Sequence, residues 1–273
     1  QRLWFLDQLE GHSPTYNIPA AVRLKGQLDV DALQGALNGV VARHDALRAT
    51  FESVDGTPAQ RIATELDVAL VLHDLRSLSQ TERDVKTRWL MLDEARTPFD
   101  LQRGPLVRGS LLQLADGEHL LLLTMHHIVS DGWSMGIFVK ELGTLYATRA
   151  LGAPPSLSEL PMRYVDFASW QRQWLSAGSP TLLTLPTDRP RPPMQGQDGA
   201  SLTYAVPAEL AARLQALSRK TQSTLFMTLC AAFNVLLARY SGQTDICIGT
   251  PIANRNRNEI EDLIGLFVNT LVL

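Results

Sequence analysis

HHIVSDGWS, residues 126–134, sets two adjacent histidines ahead of an acid, a glycine and a tryptophan. Upstream, LVRGSLLQL and HLLLLTM within residues 106–125 read as two strands joined by Ala115-Asp116-Gly117-Glu118, a hairpin turn signal. The run Leu120–Leu123 does not alternate, so the second strand is expected to be central and covered on both faces. Downstream, Ile137, Phe138, Glu141, Leu142, Leu145 and Tyr146 recur at helical period. The motif is therefore a loop crossing from a central strand to an amphipathic helix. Neighbouring strand residues face opposite ways, so His126 and His127 diverge and are poorly placed to share one ion. No HxH or CxxC spacing lies nearby, and no metal is expected. On these grounds alone the histidines fit either a reactive site or a satisfied core.

Working outward, Ile18–Lys25 reads as a strand closed by Gly26. Asp29 can cap a helix whose buried face carries Val30, Leu33, Leu37, Val40, Val41, His44 and Leu47. Gly35 and Gly39 each weaken that helix by roughly 1 kcal/mol relative to alanine, which leaves either close approach of another element or simple tolerance. Residues 152–159 and 181–199 are rich in Pro, Gly and Ser, and LPTDRPRPPMQG enters neither a helix nor a central strand. Beyond it, residues 202–206 read as a strand, and Pro207 opens a helix with Leu210, Leu214 and Leu217. A second helix is capped by Thr224, carries Leu225, Leu229, Phe233, Leu236 and Tyr240, and stops at Ser241-Gly242. Residues 245–250 and 266–273 are strand-like. The division expected is an N-terminal lobe over 1–155, a crossover and Pro-rich linker over 156–199, and the beginning of a second, incomplete lobe over 200–273.

The 273 residues, 45% hydrophobic, suffice for one large core or two smaller ones. With 25 basic against 28 acidic residues and a net charge of -3, nothing favours nucleic acid or an anionic membrane as partner. No apolar run approaches the ~20 residues of a membrane span, and QRLWFLDQLEG lacks the features of a signal peptide, so the expected location is cytoplasmic. Cys230 and Cys247 form no framework and read as small core residues. The chain opens without methionine and stops inside a strand pattern, as if excised from something longer.

HHIVSDGWS resembles the HHxxxDG motif of condensation domains in nonribosomal peptide synthetases. QRLWFLDQL at 1–9, RHDALRATF at 43–51, YVDFASWQ at 164–171 and IGLFVNTLVL at 264–273 are similar to further signatures of that family, in the same order. The resemblance implies an α/β fold of two chloramphenicol acetyltransferase-like lobes in a V, mixed sheets flanked by helices, with a tunnel between the lobes. It implies peptide bond formation between substrates tethered to phosphopantetheine arms of a donor and an acceptor carrier protein, beside an adenylation domain, with no cofactor bound by the domain itself. The phrasing of HHIVSDGWS and FVNTLVL is similar to the subtype joining an L-donor to an L-acceptor. Two other readings are a carrier-recruiting module without catalysis and a free-standing acyltransferase using acyl-CoA.

By the same resemblance, His127 faces the substrates while His126 faces its own lobe, Asp131 pairs with Arg48 to lock the loop, and Asn269 faces the cleft from the second lobe. Gly132 would permit a tight turn and place an amide near the developing oxyanion. Trp4, Trp133 and Trp170 are expected to pack in the core, and Tyr164 and Asp166 to be structural. The family's domains are longer than this chain, so the second lobe is expected to leave apolar surface uncovered.

Overall fold

The computed structural model describes residues 2–11, 13–150, 152, 154, 157–174, 202–244, 246, 248–253, 255 and 257–272. The described residues divide into two compact units, one within Gln1–Ser176 and Ala253–Asn269, the other within Ala177–Ile252 and Thr270–Leu273. The stretch Ala253–Asn269, which the sequence groups with the second lobe, thus belongs with the first unit.

In the first unit the elements run α1 (Arg2–Glu10), β1 (Asn17–Lys25), α2 (Val30–Arg43), β2 (Ala49–Val54), β3 (Thr57–Ile62), β4 (Leu70–Asp74), α3 (Gln80–Arg96), β5 (Val107–Ala115), β6 (Glu118–His126), α4 (Gly132–Ala150) and α5 (Tyr164–Trp174). A four-stranded sheet has the order β1-β6-β5-β4, with β6 antiparallel to both β1 and β5 and β4 parallel to β5. β6 is central and buried along nearly its whole length, as the unalternating leucines require. Leu121, Leu123 and Met125 join Leu37, Val40, Ile137 and Phe138 of α2 and α4 in one core layer. Leu120 and Leu122 point the other way, into a layer with Leu90 of α3. The two-residue strand period thereby feeds both layers.

Asp29 caps α2 by accepting from the Ala32 amide at 2.9 Å. Of the two glycines of α2, Gly39 is closely approached, a Cβ there lying 3.0 Å from Leu145 Cδ1 of α4, whereas a Cβ on Gly35 would meet only the exposed Arg149 guanidinium at 2.9 Å, which can swing aside. At the hairpin, Gly117 has φ +91°, which favours glycine, and its carbonyl accepts from the Gly26 amide at 2.8 Å.

In the second unit, α6 (Ala208–Lys220) and α7 (Leu225–Ser241) form a helix pair, while β7 (Gly249–Ile252) pairs with β8 (Asn269–Val272). Thr224 caps α7 and Gly242, at φ 70°, ends it. Pro207 stands at the N-cap of α6, one position earlier than expected. Residues 202–206 are not a strand: Leu202 is 95% exposed and the segment joins no ladder among the described residues. Leu225, Leu229, Phe233, Leu236 and Tyr240 stand exposed along α7, the uncovered apolar face that the sequence leads one to expect. Cys230 is half-buried, whereas Cys247 lies outside the described residues. Among the described residues no single helix is long and apolar enough to cross a membrane.

Candidate active site

His126 is the last residue of β6 and His127 the first of the turn that follows, and the two side chains have different surroundings. His126 is buried, its ring between those of Tyr16 and Phe99 at centroid distances of 6.1 and 6.0 Å. Its Nδ1 accepts from the Ile128 amide at 3.1 Å. Burial, with a smaller contribution from neighbouring His127, pushes its pKa down to about 4, so the ring is neutral at ordinary pH. His126 therefore supports the loop from inside the sheet.

His127 is half-buried, and its backbone amide donates to the Tyr16 carbonyl at 2.8 Å. Its Nδ1 lies 2.9 Å from the Ser130 carbonyl oxygen. A carbonyl can only accept, so Nδ1 carries the proton and the neutral ring keeps its lone pair on Nε2. Nε2 has no hydrogen-bond partner among the described residues. The loop's own backbone thus orients the imidazole as a proton acceptor.

Asp131 is fully buried and stands at the N-cap of α4. Its Oδ1 accepts from the Ser134 amide at 2.8 Å and the Ser134 hydroxyl at 2.7 Å, and Oδ2 accepts from the Phe267 amide at 3.1 Å. The cation facing it is Arg255, with Nη2 at 3.4 Å from Oδ1. This corrects the expected Arg48–Asp131 pair. Arg48 donates instead to the carbonyls of Val41, Ala42 and Ala63 and to Asp45 Oδ1. The reason is local: Arg48 ends the 3₁₀ turn Asp45–Arg48 just after α2, whose last-turn carbonyls lack intrahelical donors and take the guanidinium.

Arg255, with its side chain 2% exposed, also donates to the carbonyls of Ile260 at 2.6 Å and Leu263 at 2.9 Å, and lies 4.0 Å from the centroid of Phe267. Burial holds its pKa below the usual arginine value, against the pull of Asp131. Ser134 ties the same segment down, its hydroxyl lying 3.0 Å from the Gly265 carbonyl and 3.2 Å from the Gly265 amide. Tyr164 donates to the Leu266 carbonyl at 2.8 Å, and burial pushes its phenol up to about 12. A Cβ on Gly265 would sit 2.1 Å from the Tyr164 ring, so only glycine fits there. Consecutive peptide groups from Ile264 to Phe267 are held by side chains. That is why the strand expected from Leu266 begins only at Asn269.

Gly132 needs no special backbone geometry, since its φ is not positive and a Cβ there would meet nothing within 4 Å. Gly132 is exposed and opens α4. Trp4 is buried as expected, but Trp133 is 53% exposed and donates to the Glu261 carbonyl at 3.3 Å rather than packing in the core. Its place next to Gly132 in the solvent-facing first turn of α4 accounts for this. Asp166 serves a structural role, accepting from the Arg163 amide at 3.3 Å. The side chains of Asn269 and Trp170 lie outside the described residues.

Arg255, Ser134, the buried pair His44 and Glu141, and the half-buried Arg43 beside them are not legible in the sequence as site residues. His44 Nε2 lies 2.8 Å from Glu141 Oε2, and Arg43 Nε lies 3.0 Å from Glu141 Oε1. Burial pushes the Glu141 carboxyl up, but His44 and Arg43 outweigh it and hold the pKa below the usual value. The available signal is a glutamate and a histidine falling on apolar helix faces, which only a buried partner satisfies.

The sequence model of the family described as "Condensation domain" matches residues 1–273. This chain is a condensation domain by family. It is 46% identical to malpibaldin synthetase of Mortierella alpina, over 100% of this chain and 5% of that protein. It is 42% identical to phosphinothricin tripeptide synthetase PhsC of Streptomyces viridochromogenes, over 100% of this chain and 26% of that protein. The chain thus spans a small part of the length of the curated relatives it matches. Among solved structures, the X-domain from teicoplanin biosynthesis superposes with TM-score 0.86 at 29% identity, covering 100% of this chain and 63% of that one. The SgcC5 protein of Streptomyces globisporus follows the fold with TM-score 0.71 at 32% identity, covering 95% and 62%. The condensation domain carries the mixed α/β fold that the resemblance implies, with helices flanking its strands.

Proposed function

We propose that this condensation domain forms an amide bond between two carrier-tethered aminoacyl or peptidyl thioesters, with His127 as the group that meets the attacking amine. The observation that carries the reading is the half-exposed imidazole, held through Nδ1 by Ser130 so that the Nε2 lone pair stays open. An α-amine with a reference pKa of about 7.7 to 8.0 is largely protonated at neutral pH and must lose a proton to attack. In the proposed step the neutral amine nitrogen bonds to the donor's thioester carbon and the carbon–sulfur bond breaks; Nε2 takes the proton that nitrogen loses and passes it to the departing thiolate, so the donor arm leaves as a thiol and the imidazole returns to its neutral form.

Proton acceptance of this kind contributes roughly 10² to 10⁴ in rate. Bringing two tethered reactants into near-attack geometry contributes up to about 7 to 11 kcal/mol, so positioning is the larger share. The exposed Gly132, at the first turn of a 19-residue helix, offers its amide where the carbonyl oxygen gains charge. The substrates arrive on phosphopantetheine arms of donor and acceptor carrier proteins, with an adenylation domain adjoining, in the cytoplasm. The similarity of HHIVSDGWS and FVNTLVL to the L-to-L subtype supports L-configured partners. No cofactor of the domain itself enters the step.

The test is amide formation from carrier-bound substrates by a complete domain carrying this sequence, compared with its His127→Ala form. A fall of about 10² or more is expected. Equal turnover would leave a carrier-recruiting module, and activity only with coenzyme A thioesters would favour a free-standing acyltransferase.

A further inference from the structure

His44 directly follows α2 and is remote from the motif in sequence, yet its ring bridges two of the elements that frame it. The Ile264 amide lies 3.3 Å from Nδ1, and a backbone N–H can only donate, so Nδ1 is the acceptor. The ring proton is then on Nε2, which donates to Glu141 of α4 at 2.8 Å. His44 is 2% exposed. From Ile264 the contacts continue without a gap. Gly265 is held by Ser134, Leu266 by Tyr164 and Phe267 by Asp131. Ser134 and Asp131 in turn close the loop whose Ser130 carbonyl orients His127.

We propose that His44 is a positioning residue for His127, acting through the backbone of residues 264–267 and the 131–134 turn. The proposal rests on the reading of His127 as the group that meets the amine, and it adds a residue distant from the chemistry on which the placement of that group depends. Misplacement of a reacting group by about 1 Å costs on the order of 10²-fold in rate, so a contact that sets the register of this segment reaches turnover without touching substrate.

The two nitrogens of His44 are separable. His44→Gln can place an amide NH₂ near the Nε2 position and keep the Glu141 bond, but offers nothing at Nδ1. His44→Asn can place an oxygen near Nδ1 for the Ile264 amide, but does not reach Glu141. In a complete domain carrying this sequence, His44→Gln is expected to melt higher than His44→Asn yet to lose kcat about 10-fold or more with KM unchanged, while His44→Asn keeps kcat near that of the parent. Amide hydrogen exchange at Ile264, Gly265 and Phe267 should quicken in His44→Gln and stay slow in His44→Asn. If kcat simply follows the melting order, or if Gly265 and Phe267 exchange at the parent rate in His44→Gln, the proposal is overturned. Exchange is read without any substrate, and His127→Ala is assayed alongside, so failure of the His127 reading shows separately as unchanged turnover in that variant.

Discussion

The Phe267 amide donates to Asp131 Oδ2 at 3.1 Å across 136 positions of sequence. The carboxylate therefore does two things at once. It caps α4 through Ser134, and it fastens the segment leading into β8. Arg255 supplies the positive charge that makes a fully buried aspartate tolerable.

Removing the carboxylate should be costly because Arg255 is left buried without its counter-charge. Asp131→Ala is expected to lower stability by about 3 to 5 kcal/mol. In a double-mutant cycle with Arg255→Ala the two changes should couple by about 1 to 3 kcal/mol. Urea denaturation reads both, and an unchanged midpoint for Asp131→Ala would refute the lock.

Arg48 should behave as an independent structural clamp. Arg48→Ala is expected to cost about 1 to 3 kcal/mol through the carbonyls and the Asp45 carboxylate left without their donor. Combined with Asp131→Ala its effect should add within about 0.5 kcal/mol, since no shared partner links the two. Strong coupling in that cycle would restore the pairing that the structure contradicts.

His126 predicts a pH dependence of defined sign. Its folded pKa of about 4 lies below the unfolded value of 6.5, so between those values the unfolded chain binds the extra proton. Stability is unaffected by this group above pH 6.5 and falls as pH drops from 6.5 toward 4, by about 3 kcal/mol in all. Glu141, with its lowered pKa, adds to the loss only near and below its ordinary value of 4.5, which leaves pH 6.5 to 5 for isolating the histidine. Denaturation midpoints across that window should slope in the parent and flatten in His126→Asn. Parallel slopes would remove His126 as the source.

Gly132→Ala separates folding from turnover. Nothing obstructs the added methyl, and alanine is the better helix former, so the melting temperature should hold or rise slightly. Amide formation should nonetheless fall, because the methyl enters the open space beside the amide proposed to receive the oxyanion. Undiminished turnover would show that substrate does not use that space.

Gly265→Ala tests the tightest approach in the segment. With the Tyr164 ring 2.1 Å from the new Cβ, either the ring or the 264–267 backbone must shift, at a cost of about 1 to 3 kcal/mol. Tyr164→Phe keeps the ring and loses only the bond to Leu266, so about 0.5 to 1.5 kcal/mol is expected. Thermal melts of the two variants should keep that order.

The legible parts are those written in local pattern. The unalternating Leu120–Leu123 run, the helical spacing around Phe138 and the caps at Asp29 and Thr224 all depend on neighbours in sequence, and each appears where the pattern puts it. α3 leaves little trace in the sequence because its only fully buried side chain is Leu90, so its residues form no clear apolar face. Trp133 departs from expectation because aromatic size speaks for burial while its place at the start of α4 turns it outward.

By itself, the sequence determined the strand–loop–helix frame of HHIVSDGWS, because hydrophobic period and turn chemistry act within a few residues. Only the tertiary structure decided that Arg255, not Arg48, meets Asp131, and that His44, Ser134 and Tyr164 hold the backbone from 264 to 267. The physical reason is that every guanidinium offers the same charge and the same donors. Which carboxylate it reaches is set by how the chain returns across the sheet and its helices, and no local pattern encodes that path.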